Sequence, residues 1–107
     1  MTVTPIAGNA NEVVTGGTAV TAVNAVPTGI NYALIVNPLY AADQGLSVAE
    51  NLYVDITGAT PGSTAGSGNG TVMTLVPGQW VNGIPGQTTA ILVNAASSGH
   101  KFTSIVG

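Results

Sequence analysis

Apolar and polar residues alternate along this chain in short runs, and turn signals separate the runs at close intervals. Gly16-Gly17, Pro27-Thr28-Gly29, Asn37-Pro38, Gly58, Pro61-Gly62, Pro77-Gly78, Asn82-Gly83, Pro85-Gly86 and Gly99 are the turn signals. Between them the pattern predicts strands near Glu12–Thr15, Thr18–Val26, Asn31–Asn37, Leu52–Thr57, Thr71–Val76, Gln79–Val81, Thr88–Asn94 and Lys101–Val106. Short runs rich in Val, Ile, Thr and Tyr, punctuated in this way, predict an all-β fold. The expectation is a single small antiparallel β-sandwich, jelly-roll or Ig-like, of about seven or eight strands with at most one short helical turn.

The alternation also predicts which faces are covered. In Leu52–Thr57 the residues Leu52, Val54 and Ile56 form an apolar face, and Tyr53, Asp55 and Thr57 a polar one. Such a strand is expected to be half-buried, with Asp55 toward solvent. Asn31–Asn37 is apolar on both sides: Tyr32, Leu34 and Val36 share one face, Ala33 and Ile35 the other. That strand is expected to be central or to lie at a subunit contact. Thr18–Val26 repeats Thr-Ala-Val, Thr-Ala-Val, Asn-Ala-Val. Either the repeat has no structural meaning in a chain rich in these residues, or it marks a strand covered on both faces, with Val20 and Val26 on one side and Val23 on the other. Pro27 and the density of β-branched residues disfavour a helix there.

The one expected helical turn is Pro38–Gln44, with Asn37 as its cap, Pro38 at the first helical position and Gly45 ending it. Residues 58–70, GATPGSTAGSGNG, hold no large apolar side chain and read as a long surface loop. Its glycines are not followed by a helix carrying a Lys, as a phosphate-binding loop requires. Residues 1–11 read as an N-terminal arm that orders against a partner, and 12–107 as the sandwich domain.

Charge is what this chain lacks. It has one Lys, two Asp and two Glu, so 5% of its residues are charged, against about 25% in a typical soluble domain. Too few cations are present to neutralise phosphates, which excludes a basic nucleic-acid surface and a polybasic membrane patch. There is no cysteine, hence no disulfide, thiolate nucleophile or thiolate metal site. Neither a signal peptide nor a run of bilayer-spanning length is visible, and the expectation is a complete, soluble product of the cytoplasm.

The inventory for catalysis is thin. His100 is the only imidazole, so no paired-His metal cluster can form. A Ser-His-Asp set of Ser97 or Ser98, His100 and Asp55 can be written on paper, but no Gly-x-Ser-x-Gly elbow supports it, and His100 reads as a turn or interface histidine. Glu50 and Asp55 would face opposite sides of a regular strand, which does not suit a glycosidase pair. Asp43 and Glu50 lack the Asp-x-Asp spacing of a calcium loop. No catalytic, cofactor-binding or metal residue is assigned, no cofactor is expected, and the chain reads as a non-enzyme.

Association is the stronger theme. A globule of this size exposes much apolar area, and here at most five charges keep it from sticking. Edge strands have almost no Lys or Glu to protect them. A protein docked in a symmetric array escapes that penalty, and its assembly is expected to be nearly insensitive to salt. Trp80, the only Trp, lies in a segment that contains Pro-Gly-Gln twice around an Asn-Gly hairpin signal. It is expected to plug the core or an oligomer contact rather than to stack on a sugar.

Certain segments look familiar: Asn37-Pro38, Ala42-Asp43-Gln44-Gly45, Ala49-Glu50-Asn51-Leu52-Tyr53-Val54-Asp55, Leu75-Val76-Pro77-Gly78-Gln79 and Val93-Asn94-Ala95-Ala96-Ser97-Ser98-Gly99-His100-Lys101-Phe102-Thr103. Together, across about residues 15–106, they resemble small head-associated proteins of tailed bacteriophages, and through them capsid decoration (cement) proteins. The resemblance implies a homotrimer on the virion's capsid surface, made in the host cytoplasm. There it binds the major capsid protein and bridges capsomers, with no nucleic-acid or membrane partner. The matching segments are turn and strand signatures and transfer no functional residue. The contacts expected are the arm, through Thr2, Val3, Thr4, Pro5 and Ile6, and the Pro77–Gln87 region, through Trp80, Val81, Asn82 and Ile84. The rival expectation is a carbohydrate-binding or host-adhesion module on a phage tail or fibre, resting on Trp80, the three Tyr and the 58–70 loop. A bacterial pilus or surface-layer subunit ranks behind both, because no export signal is visible.

Overall fold

The computed structural model describes residues 4–64 and 70–107. Ten strands and one helical turn occur among them: β1 (Ile6–Ala7), β2 (Glu12–Val13), β3 (Val20–Val23), β4 (Ala33–Val36), α1 (Ala41–Gln44), β5 (Leu52–Asp55), β6 (Met73–Leu75), β7 (Trp80–Asn82), β8 (Ile91–Asn94), β9 (His100–Lys101) and β10 (Thr103–Val106). All pairings are antiparallel, in the orders β1-β10-β4-β7, β3-β8-β5-β6 and the two-stranded β2-β9. The first three strands thus pair with the last three, and β4 and β5 with β7 and β6. This nesting of hairpins is the strand order of a jelly roll. The sandwich is all-β as expected, with eight strands in its two large sheets.

Between the sheets Ala22, Val23, Ile35, Leu52, Val54, Ile91, Val93 and Phe102 are buried. At 25 cal/mol per Å² the burial of such side chains is the main favourable term of folding. Phe102, buried between β9 and β10, interrupts the expected Lys101–Val106 strand where the chain leaves β2 for β1; its N–H donates to Asn11 O at 2.9 Å.

Several local expectations are corrected. The segment read as an arm that orders against a partner is ordered, in its described part, against its own domain: β1 pairs with β10, and Gly8 N–H and Asn9 N–H donate to Ser104 O and Ala22 O, both at 2.8 Å. Gly8 is required there, since a Cβ would collide with the Ser104 hydroxyl and with Ala22 O. The valine repeat is resolved by a β-bulge. Val20 pairs with Val93 and Thr21 with Leu92, but Val23 with Ile91, so Ala22 is an extra residue. The bulge resets the alternation, and Val20 and Val23 both reach the core side.

The helical turn starts later than expected, with Tyr40 in the cap position and no side-chain cap. Asn37 is a buried core residue instead of a cap. Gly45 does end the turn, at φ 73°, with Gly45 N–H to Ala42 O at 3.2 Å and Leu46 N–H to Ala41 O at 2.9 Å. The Asn82-Gly83 hairpin does not form, because Gly83 N–H continues the ladder to Ala33 O at 3.0 Å. The repeated Pro-Gly-Gln builds two matching turns in its place. Gln79 N–H and Gln87 N–H close them onto Val76 O at 3.0 Å and Ile84 O at 2.9 Å. Gly78 and Gly86 supply φ values of 90° and 86°. Each Gln side chain then accepts from the first residue, Val76 N–H at 3.0 Å and Ile84 N–H at 2.7 Å. β7 is held between these two clasps.

Candidate interaction surface

The outer faces of the two sheets differ. On β5, Tyr53 and Asp55 are as buried as Leu52 and Val54, so the half-buried reading and the solvent-facing Asp55 are both corrected. The segment after β5 folds back over this face. Asn94, paired with Tyr53, donates through Nδ2 to Pro61 O at 3.0 Å, and Pro61 is itself fully buried. Asp55 is wholly inaccessible and accepts from Thr57 N–H at 2.7 Å, Thr57 Oγ1 at 2.6 Å and Thr71 Oγ1 at 2.6 Å. Burial alone would raise its pKa, but these hydrogen bonds outweigh it and hold the carboxyl below its ordinary value. The 65–69 portion of the long Gly/Ser-rich loop lies outside the described residues.

On β4 the inward residues Ala33 and Ile35 are fully buried, while Tyr32, Leu34 and Val36 face outward. Register assembles a patch around them. Leu34 stands opposite Asn82 and Ile105, and Val36 opposite Trp80 and Thr103. Trp80 is 60% exposed. Tyr32, Leu34, Val36, Trp80 and Asn82 line a shallow depression of about 300 Å³. None of the four strands in this sheet carries a charged residue. β4 is central, as its two apolar sides suggested, and its outer side is bare.

The residues named as contacts fall in separate places. Thr2 and Val3 lie outside the described residues; Thr4 and Pro5 are exposed. Ile6, 61% exposed, is on the inward side of β1 at the sheet's edge and lines a groove of about 540 Å³ with Val23, Val26 and Ile30. Trp80 and Asn82 sit on the bare outer face at the opposite edge of that sheet, with two strands between. Val81 alternates inward and packs on the core, and Ile84 is exposed in the second clasp. Leu34, Val36 and Ile105 join Trp80 in the patch. The two-sided apolar character of Asn31–Asn37 was their signal, but the β4–β7 register that links them to Trp80 is not written locally.

Against these geometries, no known family matches the chain, and neither does any curated protein or solved structure. The resemblance to phage head proteins therefore rests on the quoted residues alone.

The residues of the paper triad are engaged elsewhere. Ser97 Oγ donates to the Glu50 carboxylate at 2.9 and 2.7 Å, and His100 is buried against Asn37. Asn37 Nδ2 donates to Glu50 O at 3.0 Å and Leu75 O at 2.9 Å, which orients the amide. Its Oδ1 then accepts from Gln44 Nε2 and His100 Nε2, both at 2.9 Å. His100 therefore carries its proton on Nε2, and its buried Nδ1 has no partner. Burial pushes the His100 pKa down, and the Glu50 carboxylate opposes that shift without cancelling it. This node ties α1, β9 and the end of β4 together; it is architecture. Among the described residues no three His, Asp or Glu side chains gather as metal ligands, and no helix is long and apolar enough to cross a membrane.

Proposed function

We propose that the chain is a non-enzymatic structural protein of a virion: a decoration, or cement, protein on the outside of a bacteriophage head, bridging capsomers of the major capsid protein. The observation behind this reading is the bare, uncharged outer face of the β1-β10-β4-β7 sheet, with Trp80, Val36, Leu34 and Tyr32 adjacent. Exposed apolar patches of this kind mark interaction surfaces, with an aromatic near the centre. A homotrimer, which the resemblance implies, seats three such faces on a threefold site and turns weak contacts into firm occupancy. Jelly rolls recur in capsid proteins and in lectins, so the fold supports the reading only by analogy. The test is reconstitution on expanded heads stripped of this protein. Wild type should saturate them, and a Trp80→Ala/Val36→Thr variant should lose occupancy. Equal occupancy by that variant refutes the proposed docking face.

A second reading, a carbohydrate-binding or host-adhesion module, is favoured by one observation. Tyr32 and Trp80 flank a depression that also holds the Asn82 amide, a combination suited to a sugar ring. A glycan screen with Trp80→Ala as control separates the two. A Trp80-dependent glycan signal without capsid binding selects the adhesion module.

A further inference from the structure

We propose that the free edge of β7 pairs with the same edge of a second copy about a two-fold axis, so that two jelly rolls share one continuous sheet. The phase of the ladder leads to this. Asn37 N–H donates to Gln79 O at 2.9 Å and Gly83 N–H to Ala33 O at 3.0 Å. Antiparallel pairs alternate, so Val81 exchanges bonds with Ile35, while Trp80 and Asn82 direct their N–H and C=O groups away from β4. Those groups point to the outside of the sheet's last strand, where both residues are exposed.

This edge is complementary to itself. With Val81 opposite the partner's Val81, Trp80 falls opposite the partner's Asn82 and Asn82 opposite the partner's Trp80. Each such pair has N–H and C=O groups facing one another, which is the condition for a closed, isologous contact. A one-residue slip would set outward groups against inward ones, and a two-residue slip would set Trp80 or Asn82 against Gly78 or Ile84, whose N–H groups already bond to Asn37 O and Gln87 Oε1, so the Val81-centred register is favoured.

Three further observations favour a second copy. The edge adjoins open space of about 500 Å³ bounded by Met73, Leu75, Gly78 and Trp80, and nothing among the described residues covers it. No residue from 73 to 93 is charged, so neither self-repulsion nor a Lys gatekeeper protects the edge. The Gln79 and Gln87 clasps fix both ends of β7, so little backbone freedom is lost on pairing. Pairing also sets two bare outer faces side by side, with the Trp80 rings near the axis. The pairing uses the backbone of β7 and the docking face its side chains; Trp80 and Asn82 belong to both, but oligomeric state and capsid binding are read by different measurements, and either can fail alone.

Sedimentation equilibrium of the full chain from about 10 µM to about 1 mM, with amide hydrogen exchange at both ends of the range, tests the pairing. The expected result is concentration-dependent two-fold pairing, of single chains or of the trimers that the proposed function calls for, in which Trp80 and Asn82 amides, and not Val81, gain protection. Asn82→Pro removes a partner-facing donor and leaves the β4 ladder intact; it should weaken dimerisation by at least about tenfold. Asn82→Lys, which keeps the backbone, should do the same through charge at the axis and decides the matter if the proline variant does not fold. A monomer throughout, a trimer without added protection at Trp80 and Asn82, or a dimer that both variants leave unchanged overturns the pairing. None of these results bears on whether the outer face binds capsids.

Discussion

Strands β4 and β5 lie in opposite sheets, and their outer faces exchange the fates that their side chains suggest. The outer side of β5 carries Tyr53 and Asp55 and is sealed beneath the chain that follows it. The outer side of β4 carries Tyr32, Leu34 and Val36 and is left open. Alternation reports the chemistry of each face but not what lies over it. A polar face is buried when a neighbouring segment brings donors to it, as Thr57 and Thr71 do for Asp55. An apolar face stays open when none of the described segments folds over it, as with Tyr32 and Trp80 here. The polar groups of this protein stabilise its interior, while its surface is apolar or neutral where association is proposed.

The strongest way to break this contrast is to remove the acceptor under the covered face. Asp55→Ala removes the buried acceptor shared by Thr57 N–H and the Thr57 and Thr71 hydroxyls, which should cost about 2 to 3 kcal/mol in urea unfolding. The same substitution on a solvent-facing strand residue would cost almost nothing, so a loss below about 1 kcal/mol would mean the face is open after all. Because the carboxyl is held below its usual range, its contribution is complete above about pH 3.8 and fades below that value.

The cover itself is probed by Asn94→Ala, which deletes the bond to Pro61 O and the acceptor for Ala95 N–H. A loss of about 1 to 2 kcal/mol is expected, with faster exchange of amides in residues 58–64 and no change in β4. Uniform acceleration over both sheets would instead show that the cover and the core open as one unit.

A smaller effect comes from His100, where the two sheets converge. Its folded pKa lies below the ordinary 6.5, so the unfolded chain takes up the proton first as pH falls. Stability is therefore full above about pH 6.5 and declines as pH falls below it. His100→Gln keeps a donor for Asn37 and should flatten the profile between pH 5 and pH 7. An unchanged slope in that variant would assign the titration elsewhere.

Much of this fold is legible in the sequence, and the failures share a cause. Each of the eight predicted runs overlaps a strand, since alternation and Pro-Gly punctuation are local signals. β1 was missed because Ile6-Ala7 is too short to show a period. The valine repeat does not split Val20 and Val23 between the two faces, because a bulge at Ala22 changes the parity of β3. Asn37 next to Pro38 suits a helix cap as well as it suits a core amide, and only the arrival of Glu50, Gln44, Leu75 and His100 decides between them. The same holds for the surface. Trp80 and Asn82 stood out by their turn context, but the patch exists because register sets Val36 and Leu34 beside them.

The mildest substitution is also the sharpest test of the bare face. Leu34→Thr with Val36→Thr keeps β-branched or strand-compatible side chains on β4 while removing apolar area that faces outward. Leu34 and Val36 are half-buried among their strand neighbours, so folding should change by about 1 kcal/mol per site if no part of the isolated chain covers that face. Capsid occupancy should fall sharply in the same variant, and wild-type binding should vary less than about twofold between low and high salt, because no ion pair supports it. Tyr53→Thr, the matching change on the covered side, removes a buried ring and should cost several times more. Equal costs on the two sides would mean that the isolated protein already shields β4. The partner would then meet a different surface, and the contrast between the sheets would vanish.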